Sequence, residues 1–328
     1  MDIDLDGGLR QPGGGWLRDP RSPTPHSIVE SVRDGTLDAS LAALLWLLLE
    51  ARVPLVVAAG PSGTGKSTLL HALLELLPPD TRIQELAGYA EDFAWLPEGA
   101  TLGWRPHGFA GVAATEGRLA PKAARAPVDP ATTVLLVHEL SDHLPLYTWG
   151  EVARVVVRAL SLGYGLGATI HADSLEEVLD ELADPEVSLT TDELSRLGVV
   201  LILRAFRDRA TGVVLRRVVA AHYVRPVVRD AAGHVQRPGP AVLATWDPAT
   251  DTFEDFAWGI VPELAERVGR RAGDFEVERT RRADYLGGLV RADMVAPDDV
   301  RAAIEHYRHG QGDGPGPADQ ERRGLTGS

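Results

Sequence analysis

VPLVVAAGPSGTGKSTLLHALLELL, residues 53–77, decides the fold of this chain. Residues 54–60 are a continuous apolar run, the pattern of a strand buried on both faces of a parallel sheet. The next residues fill G-x-x-x-x-G-K-S completely: Gly60, Pro61, Ser62, Gly63, Thr64, Gly65, Lys66 and Ser67, with Thr68 following. KSTLLHALLELL then reads as a helix. Each part has a physical task. The glycines let the loop curl so that backbone N–H groups point inward at phosphate oxygens, and the helix start adds partial positive charge. Lys66 reaches the outer phosphates, and the Ser67 hydroxyl is expected to ligate Mg2+. A loop of this composition between a buried strand and a helix predicts a nucleotide site.

Working outward, SIVESVRDG (from Ser27) and TLDASLAALLWLLLEA read as two helices, the second capped by Thr36 or Asp38. Downstream come a short strand TRIQEL (81–86) and an irregular stretch at 87–131. The strand TTVLLVHEL (132–140) and a helix over 148–162 follow. LGYGLG is expected to turn the chain back into a strand GATIHA (167–172), before a helix over 174–183. VVLILRAF, GVVLRRVVAAHYV and AVLATWDPATDTFEDFA read as strands, the last folded into a hairpin at DPATD. Beyond Pro262 the pattern is helical to about His309. The alternation predicts an α/β domain with a mainly parallel sheet, plus a C-terminal β-hairpin and helical appendage. The expected organisation is a P-loop domain over 27–260 and a helical region over 261–310, with disordered segments at 1–26 and 311–328.

A phosphate loop needs a carboxylate near the metal and the attacking water, commonly at the end of a neighbouring apolar strand. Glu139 closes TTVLLVHEL and fills that role, with Asp142 a weaker candidate close by. His171 closes the third apolar strand. Ligands of open parallel sheets sit beyond the carboxyl ends of the strands, so Gly60, Glu139 and His171 are expected at one rim. On the residue pattern alone His171 is as readily a packed core histidine as a hydrogen-bond donor to phosphate.

Composition narrows the classes. A formal charge of −14 argues against broad electrostatic binding to nucleic acid. Without cysteine there is no disulfide scaffold, thiolate nucleophile or Cys-based zinc site. The acidic start MDIDLDGG lacks the apolar region of a signal peptide, and LAALLWLLL (41–49) is too short to span a bilayer. A cytoplasmic protein is expected, peripheral to a membrane through partners if at all.

Taken in order, these stretches resemble the ATPases of the type II/type IV secretion superfamily, the motors of pili and secretion systems, and within it the archaeal archaellum and pilus branch. The segment from SIVESVRDG through the phosphate loop resembles that branch's lead into its Walker A motif. RIQEL resembles the start of its Asp box, LLVHEL its Walker B strand and ATIHADSLEEVLDEL its His box, while FEVERTRRADYLGGLVRADMVAPDDVRAAIEHY resembles its terminal helices. The resemblance covers about residues 27–310. It implies a RecA-like fold, ATP and Mg2+ as ligands, and a hexamer or a hetero-oligomer with a full-length paralogue, docked on a membrane platform protein. It also implies roles: Glu139 as the Walker B carboxylate, His171 as the His-box sensor of the γ-phosphate, and Glu85 as the Asp-box acid. The chain departs from the family in three places. About 50 residues precede the loop strand where relatives carry a large domain. His138 stands where the Walker B glycine is usual, and Ser141 where an arginine is usual. Leu86 follows Glu85 where a second acid is expected, with Glu91 and Asp92 farther on.

The departures favour a rival reading, a nucleotide-dependent regulatory or assembly subunit without turnover. A small-molecule kinase would need an arginine-bearing lid, and residues 87–117 hold Arg105 alone.

Overall fold

The computed structural model describes residues 25–60, 63–105, 126–144, 147–208, 211–230 and 232–310. Of the segments expected to be disordered, 1–26 and 311–328, residues 1–24 and 311–328 lie outside the described residues, as do Pro61 and Ser62 of the phosphate loop.

Helices α1 (Ile28–Arg33) and α2 (Ala39–Glu50) start on side-chain caps, Ser27 accepting from the Glu30 N–H and Asp38 from the Leu41 N–H. Of the two caps offered for α2, Asp38 is the one used. From Leu41 to Leu49 every residue of α2 is buried, so a helix that is apolar all round is covered all round. It leads to β1 (Leu55–Ala58), buried along its whole length, and through the loop to α3 (Lys66–Leu74).

The chain then forms β2 (Arg82–Glu85), β3 (Thr133–Leu140), α4 (Gly150–Ala159), β4 (Gly165–Ile170), α5 (Leu175–Ala183) and α6 (Thr191–Leu194). Strands β5 (Gly198–Arg207) and β6 (Val214–Val224), a ribbon of β7 (Val228–Arg229) and β8 (Val235–Gln236), and the hairpin β9 (Ala241–Asp247) and β10 (Thr252–Asp255) follow. Helices α7 (Val261–Arg267), α8 (Ala272–Arg291) and α9 (Pro297–His309) complete the described chain.

The eight-stranded sheet has the order β10-β9-β6-β5-β1-β4-β3-β2. From β5 to β2 all neighbours are parallel, and from β5 outward to β10 they are antiparallel. The fold is thus mixed α/β with a RecA-like arrangement, the phosphate-loop strand lying centrally between β4 and β5. Alternate residues feed two cores: Leu55 and Val57 join α1–α3 and the C-terminal helices, whereas Val56 and Ala58 join α4, α5 and the loop after β2. Helix α8 packs against α2, so the second layer on the loop-helix face comes from the C-terminal region.

Two details differ from expectation. Of the glycines in LGYGLG, Gly163 makes the turn, with φ +100°. Gly165 and Gly167 instead lie inside β4, where a Cβ would meet Val134 at 2.8 Å and Leu74 at 3.0 Å. The smallness of Gly167 lets α3 settle on the sheet, and that of Gly165 makes room for Val134 and Arg52. The ribbon β7–β8 is new, because paired strands of two residues are too short to show any period.

Candidate functional site

Three strand ends build the site. Helix α3 begins on Gly65, whose φ of +106° no side chain favours, and no side chain caps the helix. The first turn of α3 therefore presents its N–H groups, with Lys66, Ser67 and Thr68, to the space enclosed by the loop.

Lys66 is buried, 6% exposed. Its ammonium donates to the Ala59 carbonyl (3.2 Å) and contacts His171 Nδ1 (3.1 Å). With Lys66 as donor, Nδ1 accepts, so the proton of a neutral ring sits on Nε2, the atom left for a further acceptor. Glu139 Oε1 stands 3.8 Å from the ammonium and 3.5 Å from His171 Nδ1, an ion pair too long to be a hydrogen bond. Burial pushes Lys66 below the usual lysine range, against the opposing pull of Glu139 and Asp173.

Glu139 reaches this cluster across β4, which separates its strand from β1. The Thr169 hydroxyl of β4 lies between Glu139 Oε2 (2.9 Å) and the His138 carbonyl. One hydroxyl proton serves one of these acceptors at a time. Glu139 Oε1 is buried and receives no hydrogen bond among the described residues. Glu139 and His171, both expected at the rim, are therefore in mutual reach with Lys66 of the phosphate loop.

Glu85 lies elsewhere. It is on the edge strand β2, three strand spacings or roughly 14 Å from β1. Its register partner is Leu136, well short of the end of β3. Glu85 pairs with His138 (2.8 Å), whose ring stacks at 6.1 Å on His71 of α3. Glu91 is consumed by its own loop, accepting from the Ala87 and Phe93 N–H groups and the Trp95 indole. Asp142 is exposed and pairs with His143.

Two residues at the rim escaped sequence reasoning. Asp173 accepts the Gly60 N–H at 3.2 Å, and a Cβ on Gly60 would lie 2.4 Å from its carboxylate. The first loop glycine is needed for that approach. Arg216, on β6, donates through Nε to the Thr64 carbonyl of the loop at 2.9 Å. The signal for Asp173 was its place two residues past His171, which passed for an ordinary helix start. For Arg216 the sequence held only an arginine pair near the start of a strand.

No protein-family model and no curated protein matches the chain. Among solved structures it is similar to the ATPase DotB of Legionella pneumophila, with 15% identity and a TM-score of 0.28. That similarity covers 74% of this chain and 55% of that ATPase.

Proposed function

We propose that the chain binds Mg·ATP in its phosphate loop and hydrolyses it, as an ATPase of the secretion and pilus-assembly kind. One observation carries the nucleotide reading: a buried Lys66 held between the Ala59 carbonyl, His171 and an under-bonded Glu139. The residues fit such a ligand. Among the described residues Glu139 Oε1 is a buried acceptor without a donor, which a water molecule would supply, and no side chain caps the start of α3, whose N–H groups suit phosphate oxygens. Mg2+, held with the triphosphate by the Ser67 hydroxyl, would neutralise phosphate charge there. Lys66 would exchange its contacts for phosphate oxygens, Glu139 would orient the attacking water, and His171 would offer Nε2–H to the outer phosphate.

The ordered resemblance of the Walker A, Walker B and His boxes supports the secretion part of the reading. It extends to a hexamer, or a hetero-oligomer with a full-length paralogue, acting at the cytoplasmic face on a membrane platform protein. Among the described residues no helix is long and apolar enough to cross a membrane. A second reading, a nucleotide-dependent assembly subunit without turnover, is favoured by the pairing of Glu85 with His138 away from Glu139.

Titration calorimetry with Mg·ATP tests the first claim: K66A should weaken binding by about 100-fold or more. Unchanged affinity in K66A sinks the nucleotide site. Phosphate release measured against E139Q then decides between the two readings, because a wild-type rate equal to that of E139Q means no turnover. Mass in solution with and without ATP reports the ring.

A further inference from the structure

Lys66 is flanked by two carboxylates, Glu139 and Asp173, so the three side chains together carry one positive and two negative charges. A triphosphate adds several more negative charges, in a chain already at −14. A further cation at the loop would offset them.

The sheet supplies one. Strand β6 runs antiparallel to β5, so its first residues lie beside the carboxyl end of β5, at the rim where the phosphate loop opens. Arg216 is one of these, opposite Ala205. Its Nε donates to the Thr64 carbonyl, and a Cβ on Gly65 would meet its Cδ and Nε at 3.0 Å. The arginine thus lies directly on the bare glycine that precedes Lys66. Among the described residues it has no carboxylate partner, whereas its neighbour Arg217 is buried in a two-pronged pair with Asp251. An arginine tied to the loop by Nε alone keeps both terminal nitrogens of its fork for another acceptor.

We propose that Arg216 is a phosphate-binding arginine supplied by the chain itself, anchored on Thr64 and selecting the triphosphate over the diphosphate by binding its outermost phosphate. This rests on the nucleotide-binding reading above. A residue that merely braced the loop would serve ATP and ADP alike, because the loop encloses the inner phosphates of both.

The test is titration calorimetry of the full chain with Mg·ATP and, separately, Mg·ADP. Arg216→Ala should raise the Kd for ATP by about tenfold or more and that for ADP by about threefold or less. Arg216 is exposed, so the variant should fold, and a melting curve checks this. Arg216→Gln, close in length but neutral, should lose the same preference. Equal losses for both nucleotides, or no loss for either, overturn the assignment while leaving the nucleotide site standing. A wild-type chain that binds neither nucleotide overturns this assignment together with the reading it rests on.

Discussion

Two buried charge clusters, one at the end of α2 and one at the phosphate loop, are built to opposite ends. In the first, Glu50 at the end of α2 accepts from Arg282 (2.6 Å), Arg308 (2.9 Å) and the Trp46 indole (2.8 Å). Glu278 takes the other side of Arg282 at 2.8 Å and the Tyr307 hydroxyl at 3.2 Å. The Arg282 guanidinium also lies over the Trp46 ring, 4.5 Å from its centroid. Burial and the adjacent Glu278 push the Tyr307 phenol up to about 12. At the phosphate loop, by contrast, Lys66 faces Glu139 across 3.8 Å and leaves Oε1 without a donor among the described residues. A cluster in which each carboxylate meets at least two donors holds α2, α8 and α9 in one arrangement, although Arg282 Nη1 is buried without a partner among the described residues. A cluster short of partners is suited to exchanging them with a ligand.

That contrast breaks if the two clusters respond alike to mutation. The largest effect is expected at Arg282, which is 1% exposed. Arg282→Met takes the shared guanidinium away from Glu50 and Glu278 and should cost about 3–5 kcal/mol of stability in urea unfolding, with ATP affinity in the folded protein unchanged. A loss of less than about 1 kcal/mol would mean that the network is not what joins these helices. Next in size is Thr169→Val, nearly isosteric, which removes the hydroxyl between Glu139 and the His138 carbonyl. It should destabilise by about 1–3 kcal/mol and slow phosphate release, because Glu139 loses the group that orients it. Lost stability with an unchanged rate would separate Glu139 from turnover.

What could be read from the sequence followed from how local each signal was. The phosphate loop, the buried strands and the Asp38 cap are written in a few consecutive residues each. The convergence of Lys66, Glu139 and His171 needed one further rule, that parallel strands place their carboxyl ends together. Arg216 needed the topology itself, because only an antiparallel β6 beside β5 brings the start of that strand to the same rim. Asp173 needed the close approach to Gly60. Gly165 and Gly167 resemble a turn in sequence, since nothing local reveals that Leu74 and Val134 occupy the space of their missing side chains. Glu91 illustrates the converse, an acid near a motif whose partners are its own loop's N–H groups.

The smallest expected effect concerns His71, four residues after Ser67 on α3 and so one turn along the same face. His71 lines a cavity of about 300 Å3 between α3, residues 77–83 and α9, and its Nε2 is buried without a hydrogen-bond partner among the described residues. Burial first, and then the neighbouring His138, hold its pKa below the ordinary histidine value, with Glu85 opposing. In the unfolded chain His71 takes up a proton near pH 6.5, while in the folded chain it does so only at lower pH. Between those two values the unfolded state holds more protons, so stability rises with pH and falls as the pH drops below about 6.5. His71→Gln removes that term and should flatten the dependence of Tm on pH between about 5 and 7. His222, also held low by burial, continues to act in the same direction, while Glu75, raised by burial, acts oppositely. The difference between wild type and variant therefore isolates His71. Coincident slopes would mean that the ring takes up its proton as easily in the fold as outside it. The stack of His71 on His138 would then be a hydrated contact, and Glu85 with His138 would form a solvent-facing pair separate from the helix that carries the phosphate loop.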